Sequence, residues 1–233
     1  MNFFDAKVTE IRREIGDAYS FVMEIPEGFQ WKAGQHVLWK LKGYTVEEGD
    51  RDTRVFTIAS APEDGFLMFT TRITELHTSF KEVLLHQLKV GDVMQVAVPR
   101  GSFDMDTENF SSTMIVAGGI GVTTIRSILR SYMEHPKEGH PVTVLYSERD
   151  GNFSYQELWE EIRTRVPGLE INLLTDSDEV GNRVDAYAKE HGQNAEFLIA
   201  GPPRMNEAYT ERLNGLGVPE GNIKTDVFMG YDD

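Results

Sequence analysis

TMIVAGGIGVTTIRSILR, residues 113–130, is the stretch that decides the fold. A short apolar run with β-branched members, Met114 to Ala117, stops at the glycine-rich turn Gly118 to Gly121. The apolar residues that follow recur at helical spacing: Ile125, Ile128 and Leu129. The pattern predicts a strand, a tight glycine turn and a helix.

The glycine turn is a candidate phosphate site. Glycine allows positive φ and lets the backbone lie against a phosphate, and the helix start offers unpaired N–H groups to an anion. Thr123-Thr124 stands where the dinucleotide fingerprint G-x-G-x-x-G has its last glycine. The stretch by itself therefore indicates either a phosphate site or a glycine-rich turn that binds nothing.

Composition excludes several classes of function. The chain has 233 residues, of which 40% are hydrophobic and 26% charged, as in ordinary globular proteins. The absence of cysteine excludes disulfides, thiolate nucleophiles and cysteine-bound iron–sulfur clusters, so redox chemistry would need an organic cofactor. A net charge of −15 disfavours nucleic acid and anionic membranes as partners. The six histidines show no metal-ligand spacing, and no membrane span or leader is evident, so we expect no metal and a soluble cytoplasmic protein.

The first half reads as β-structure with one helix. Short runs rich in Val, Phe, Ile and Thr are separated by turn formers and predict six strands, at residues 3–12, 19–25, 36–41, 54–58, 66–73 and 92–98. A helical stripe at residues 79–88 follows a Thr78-Ser79 cap. We expect an antiparallel six-stranded β-barrel over residues 1–107.

The second half changes period. Strand-like and helix-like segments alternate, with strands at 142–147, 169–175 and 196–200, helices at 154–165, 184–190 and 205–213, and a last run ending at Phe228. Alternation implies an α/β doubly wound parallel sheet over residues 108–233. Ligands bind beyond the carboxyl ends of such strands, where three turns carry suggestive residues, at 118–124, 147–149 and 200–205.

One predicted strand of the first half has an unusual composition. RVFTIASAP, residues 54–62, combines an arginine, an aromatic and small hydroxyls, and alternation puts Arg54, Phe56 and Ile58 on one face. An arginine suits a pyrophosphate and an aromatic stacks on a planar ring. Read alone, the strand equally suits Phe56 in the core and Arg54 at a solvated edge.

Taken together, the motifs resemble a known superfamily. RVFTIAS is similar to the flavin-binding R-x-[YF]-[ST]-x-x-S motif of the ferredoxin–NADP(+) reductase superfamily, and VAGGIGVTT is similar to its G-G-x-G-x-T nucleotide motif. Further matches in the same order are Ala33-Gly34-Gln35, Ser79, residues 99–103 and residues 200–205. The resemblance covers nearly the whole chain and implies an FAD domain, a nicotinamide-nucleotide domain and a redox centre in the cleft between them.

The resemblance implies roles around the flavin. Arg54 would bind the FAD pyrophosphate with the helix start at Ser79, and Phe56 would lie against the isoalloxazine. Thr57 would hydrogen-bond the ring near N5, and Thr71 is a further expected cofactor-binding residue. Arg72 would either contact the adenine half or lie on the barrel surface.

It also implies roles around the nucleotide. Its pyrophosphate would be held by residues of the glycine turn: Gly118, Gly119, Gly121 and Thr123. Gly201 and Pro202 would lie under the nicotinamide, although Ala200 replaces the family's usual cysteine beside the hydride-transfer site.

The end of the chain resembles a further family motif. Asp226-Val227-Phe228 is similar to the terminal acidic-x-aromatic of plant-type members, whose aromatic covers the flavin. Asp226 and Phe228 are therefore catalytic candidates beside Phe56 and Thr57. Either Phe228 or Tyr231 would be the cover, unless this is an ordinary end strand.

Coenzyme and acceptor are left open by these residues. Ser147, Arg149 and Arg183 favour NADPH, whereas Glu148 favours NADH. The implied reaction passes hydride from NAD(P)H to FAD and electrons onward to a carrier such as ferredoxin or flavodoxin. The alternatives are a flavin or ferric reductase acting on a small molecule, the reductase component of an oxygenase, and a non-catalytic nucleotide-binding subunit.

Overall fold

The computed structural model describes residues 2–228, which fall into two compact units that divide between Ser102 and Phe103. The predicted boundary at 107/108 lies a few residues further along the chain. Residues just after Ser102 are bonded to the second unit's sheet, because the Asp106 backbone N–H donates to Glu196 Oε2 at 2.9 Å and Lys224 Nζ donates to the Asp104 carbonyl at 2.9 Å.

The first unit is the predicted antiparallel barrel. Its elements are β1 (Phe3–Ile15), β2 (Ala18–Met23), β3 (His36–Leu41), β4 (Thr53–Thr57), β5 (Leu67–Arg72), α1 (Ser79–His86) and β6 (Val93–Ala97). The strand order is β4-β3-β6-β1-β2-β5, and every pair is antiparallel. The Ala59 N–H donates to the Met68 carbonyl at 2.7 Å, which joins the two ends of the sheet.

Aromatic side chains fill the barrel. Phe69 of β5 stacks between Phe21 and Phe56, with ring centroids 5.0 Å apart in both pairs, and Trp39 packs on it at 4.7 Å. α1 closes one end with Phe80, Val83 and Leu84 buried, as its apolar stripe predicts. Thr78 accepts a hydrogen bond from the Lys81 N–H and so caps the helix.

The second unit is the predicted parallel sheet. Its elements are β7 (Ser112–Gly118), α2 (Val122–Tyr132), β8 (Val142–Ser147), α3 (Gln156–Arg165), β9 (Leu169–Leu174), α4 (Ser177–His191), β10 (Ala195–Gly201), α5 (Pro203–Gly215) and β11 (Ile223–Val227). The strand order is β11-β10-β7-β8-β9, and every pair is parallel.

Helix α4 is twice as long as the pattern predicted. It begins at Ser177 rather than Val184, because Asp176 accepts a hydrogen bond from the Asp178 N–H at 2.8 Å and caps it. The first turn carries Asp178 and Glu179, which the positive helix end favours. Its buried stripe is sparse in large apolar residues, which is why the sequence under-predicted this segment.

Two searches of the described residues bear on function class. No helix within residues 2–228 is long and apolar enough to cross a membrane. In the same part of the chain no group of three or more His, Asp or Glu side chains is arranged to hold a metal ion.

Candidate functional site

The strand order of the second unit places a switch point between β7 and β10. The chain leaves β7 for β8 on one side and leaves β10 for β11 on the other. Right-handed crossovers therefore put α2 and α5 on opposite faces of the sheet. A crevice opens between the carboxyl ends of two such strands, and nucleotides bind there in doubly wound sheets.

The glycine turn forms one wall of this crevice. Gly119 has φ 52°, a left-handed conformation that favours glycine, and a single 3₁₀ turn over Gly119–Gly121 leads into α2. Thr123 is buried, and its hydroxyl donates to the Ile120 carbonyl at 2.9 Å. The threonine side chain thus stabilises the turn, and the backbone is the part of the turn suited to an anion.

Gly121 is required by packing. A Cβ at this position would lie 2.2 Å from the Ala200 carbonyl oxygen and 2.9 Å from the Gly201 nitrogen. A Cβ at Gly118 would instead meet Met205 Sδ at 2.2 Å, and one at Gly201 would meet the same sulfur at 2.9 Å. Gly121 thus lets the start of α2 approach the end of β10 closely, whereas Gly118 and Gly201 leave room for the Met205 side chain of α5.

The predicted residues near the chain end join this site. Ala200 is fully buried and pairs in register with Asp226, and the Phe228 N–H donates to the Gly201 carbonyl at 3.0 Å. Thr124 stands three residues after Gly121, the last glycine of the turn. Its hydroxyl donates to Asp226 Oδ2 at 2.6 Å. Asp226 and Phe228 therefore lie at the crevice, whereas Tyr231 is outside the described residues.

Sequence reasoning missed Asn206. Its buried amide donates to the Asp226 carbonyl at 2.8 Å, and among the described residues its Oδ1 is buried with no hydrogen-bond partner. No motif marks this residue. It lies in the first turn of α5 and holds β11 against that helix. Thr124 could have been singled out from the sequence, since it occupies the position of the last glycine of the fingerprint G-x-G-x-x-G.

The residues expected to choose the coenzyme are partly engaged. Ser147 ends β8 beside Gly118, and Arg149 is exposed two residues later. Arg183 pairs with Glu179 at 2.7 Å and donates to Asn172 Oδ1 at 2.9 Å. Its charge is therefore already balanced, which weakens its case as a ligand of a 2′-phosphate.

The first unit contains a set of oxyanion donors at the start of α1. The Ser79 hydroxyl donates to Asp50 Oδ2 at 2.7 Å, and the Phe80 N–H donates to the same oxygen at 3.2 Å. Arg54 donates to Asp50 Oδ1, and its guanidinium lies 5.2 Å from the Phe80 ring centroid. A guanidinium, a hydroxyl and a helix-start N–H thus converge on one carboxylate.

The charges around these donors are mostly positive. Burial, followed by repulsion from Arg54, lowers the pKa of Lys81 to about 8, and Arg72 acts in the same direction while Asp17 opposes it. Burial raises the pKa of Asp50, but the hydrogen bonds from Ser79, Arg54 and the backbone outweigh it and hold this pKa well below its usual range. The cluster favours a bound anion.

The other predicted flavin residues are less open to solvent. Phe56 is half-buried, with one ring face stacked on Phe69. Thr57 is 7% exposed and Thr71 is fully buried. The roles expected for them toward the flavin remain predictions, and for Thr71 burial leaves no exposed side chain to offer a ligand.

These residues fit a cofactor that carries a pyrophosphate. Arg54, Ser79 and the Phe80 N–H already hold an oxyanion, the carboxylate of Asp50, which demonstrates the chemistry of the donor set. Guanidinium groups and helix N-termini bind phosphate through the same interactions.

Comparison with known proteins shows which proteins the chain is similar to. Residues 115–211 match the family model described as the oxidoreductase NAD-binding domain. A flavohemoprotein of Candida albicans is 27% identical over 261 aligned residues, which cover 99% of this chain and 60% of that protein. The chain therefore spans about 60% of this relative's length.

Two solved structures share the fold over the whole chain. The ferredoxin–NADP+ reductase of Plasmodium falciparum, solved with 2′P-AMP, superposes with a TM-score of 0.78 at 15% identity, covering 97% of each chain. The flavohem-like FAD/NAD-binding domain of nitric oxide dioxygenase from Vibrio cholerae gives 0.75 at 17% identity, covering 97% of this chain and 98% of that one.

The fold and the comparisons thus agree on an antiparallel barrel followed by an α/β unit that is similar to the oxidoreductase NAD-binding domain. Along residues 115–211 the chain is similar to the NAD-binding domain of oxidoreductases, and it shares its fold with a ferredoxin–NADP+ reductase and with a flavohem-like FAD/NAD-binding domain.

Proposed function

We propose that this chain binds FAD and NADPH and passes electrons to a protein carrier such as ferredoxin or flavodoxin. The observation that carries the proposal is the oxyanion donor set of Arg54, Ser79 and the Phe80 N–H, because it lies in the same chain as a glycine turn at a switch point. When bound, FAD accepts a hydride and releases electrons singly or as a pair.

The residues of the chain have binding and orienting roles in this proposal. Arg54 and the start of α1 hold the pyrophosphate of the flavin. The backbone of Gly119 to Gly121 faces the pyrophosphate of the nicotinamide nucleotide. Asp226, held by Thr124, places a carboxylate at the end of β11 beside Ala200. Alignment of the two rings is the main contribution of the protein, since small displacements cost rate steeply.

The preference for NADPH rests on Ser147 and Arg149. Ser147 is the last residue of β8 and Arg149 lies two residues later, in the region where sites for the 2′-phosphate place Arg or Ser. Arg149 is exposed and suited to an added phosphate, whereas Arg183 is engaged by Glu179. NADH is the alternative that Glu148 favours.

The test is the visible spectrum of the purified protein, recorded anaerobically before and after addition of NADPH or NADH. Flavin bands that bleach with NADPH, and more slowly with NADH, are the expected result. Arg54→Ala should purify without flavin, and a fully yellow variant would contradict the assignment. Reduction of purified ferredoxin or flavodoxin in the presence of NADPH then tests the acceptor.

Ala200 favours a second candidate, a non-catalytic nucleotide-binding subunit. The family usually has cysteine at this position, beside the site of hydride transfer. Reduction of ferricyanide by NADPH separates the two, because an active reductase turns over an artificial acceptor whereas a non-catalytic subunit does not.

A further inference from the structure

The Asp50 carboxylate is bound where a phosphate would need its donors. Asp50 lies in the loop of residues 42–52 between β3 and β4, which we call the β3–β4 loop. Its side chain is 19% exposed. It accepts hydrogen bonds from the Ser79 hydroxyl, from the Phe80 N–H and from Arg54.

The same loop and the first residue of β4 engage the other terminal nitrogen of the Arg54 guanidinium. Nη1 donates to the carbonyls of Arg51 at 2.9 Å and Thr53 at 2.8 Å, while Nη2 is bonded to Asp50. A bidentate contact with a phosphate uses two N–H groups of one guanidinium edge. To hold a pyrophosphate through both Nη1 and Nη2, the guanidinium therefore has to give up at least its hydrogen bond to Asp50.

The loop is also tied to α1 by its backbone. The Glu47 N–H donates to the Ser79 hydroxyl oxygen at 3.0 Å, and the Asp50 N–H donates to the Glu47 carbonyl at 3.0 Å. Residues 47–51 thus form a short strap across the start of the helix. The Asp50 carboxylate of this strap occupies the donors of Arg54, Ser79 and Phe80. Because it is negatively charged, as a pyrophosphate is, the two groups repel each other and compete for these donors.

We propose that Asp50 is an intramolecular competitor of the flavin's pyrophosphate: its carboxylate stabilises the cofactor-free barrel and leaves the donors of Arg54, Ser79 and Phe80 when FAD binds. The inference rests on the proposed function. It assigns the β3–β4 loop a part in setting FAD affinity, with Asp50 weakening the affinity that the donors alone would give.

Asp50→Asn is the direct test, with the equilibrium dissociation constant of FAD for the flavin-stripped full chain measured by quenching of flavin fluorescence. Removing the competing charge should lower that constant about tenfold, since one charge-assisted contact is exchanged. Riboflavin, which has no phosphate, should bind both proteins equally. The flavin-free variant should also melt at a lower temperature than the flavin-free wild type, because the helix start loses its anion.

Asp52→Asn is the matched control. Asp52 lies in the same loop, is 46% exposed and pairs with Lys40 at 3.6 Å. This variant removes the same charge from the loop and leaves the contacts of Asp50 intact. Its FAD affinity should equal that of the wild type, and a tenfold gain here would overturn the proposal in favour of a general charge effect.

A second measurement uses the wild type alone. Hydrogen exchange of the strap amides, residues 47–51, should become faster when FAD saturates the protein, while α1 is unchanged or better protected. Slower or unchanged exchange in the strap overturns the proposal, even if Asp50→Asn fails to fold.

The outcomes separate the two proposals. If wild type and Asp50→Asn both fail to bind FAD, the proposed function is wrong and this inference falls with it. If the wild type binds FAD and Asp50→Asn binds it equally or more weakly, only the inference is wrong, and Asp50 then positions Arg54 for the cofactor.

Discussion

Gly121→Ala tests the packing of the nucleotide turn in the most direct way. The new Cβ would lie 2.2 Å from the Ala200 carbonyl oxygen, 2.5 Å from its carbonyl carbon and 2.9 Å from the Gly201 nitrogen. All three are backbone atoms of a central strand and its end, so no side-chain rotation relieves the overlap. The start of α2 has to move away from β10.

The expected cost follows from two opposing effects. Gly121 has φ −57°, an ordinary helical value, so the substitution would otherwise gain about 0.5–1 kcal/mol by restricting the unfolded chain. Overpacking against fixed atoms costs about 1–3 kcal/mol, and backbone atoms place this site at the upper end. We expect a net loss of about 2 kcal/mol in the free energy of unfolding, or roughly 8 °C in melting temperature for a unit of this size.

Two further glycines calibrate the measurement, which is thermal unfolding followed by circular dichroism. Gly118→Ala should cost less, because its Cβ would meet the flexible end of Met205. Gly215→Ala should be neutral or slightly stabilising, since nothing lies within 4 Å of its Cβ and the residue ends α5. A melting temperature of Gly121→Ala equal to that of Gly215→Ala would refute the packing argument.

Three other predictions follow from charged groups. Arg149→Ala should raise the KM for NADPH about tenfold and leave that for NADH unchanged, as one lost phosphate contact predicts; an equal effect on both would remove this residue from coenzyme choice. Burial lowers the pKa of His140, so the unfolded chain takes up a proton first as the pH falls below about 6.5, and the free energy of unfolding should decrease there. His140→Asn should flatten that decrease in urea titrations, and an unchanged slope would contradict it. The pKa of Lys81 is lowered to about 8. Because a bound pyrophosphate favours the charged ammonium, binding of FAD at pH 8 should be accompanied by proton uptake. Calorimetry in buffers of different ionisation enthalpy measures this uptake, and Lys81→Gln should abolish it.

Much of the fold could be read from local patterns. The segment 142–147 was predicted as a strand and is β8 with the same bounds, and the helix predicted at residue 79 begins there. Such elements are short-range: alternation, helical spacing and a cap are all written within a few residues of one another. α4 was under-predicted because its apolar stripe is thin and its capping residue Asp176 decides where it begins.

The sequence by itself determined the two-unit architecture, the order of the elements and the two motifs that carry the resemblance to the superfamily. Only the tertiary structure decided which groups meet at the sites. Asp50 reaches Ser79 across 29 residues of sequence, and Thr124 reaches Asp226 across 102. Neither pairing has a local signature in the sequence. Each hydrogen bond joins segments that are distant along the chain, and it forms only because the barrel, in the first case, and the parallel sheet, in the second, bring those segments together. The same holds for Gly121, whose small size is explained by the Ala200 carbonyl that packs against it.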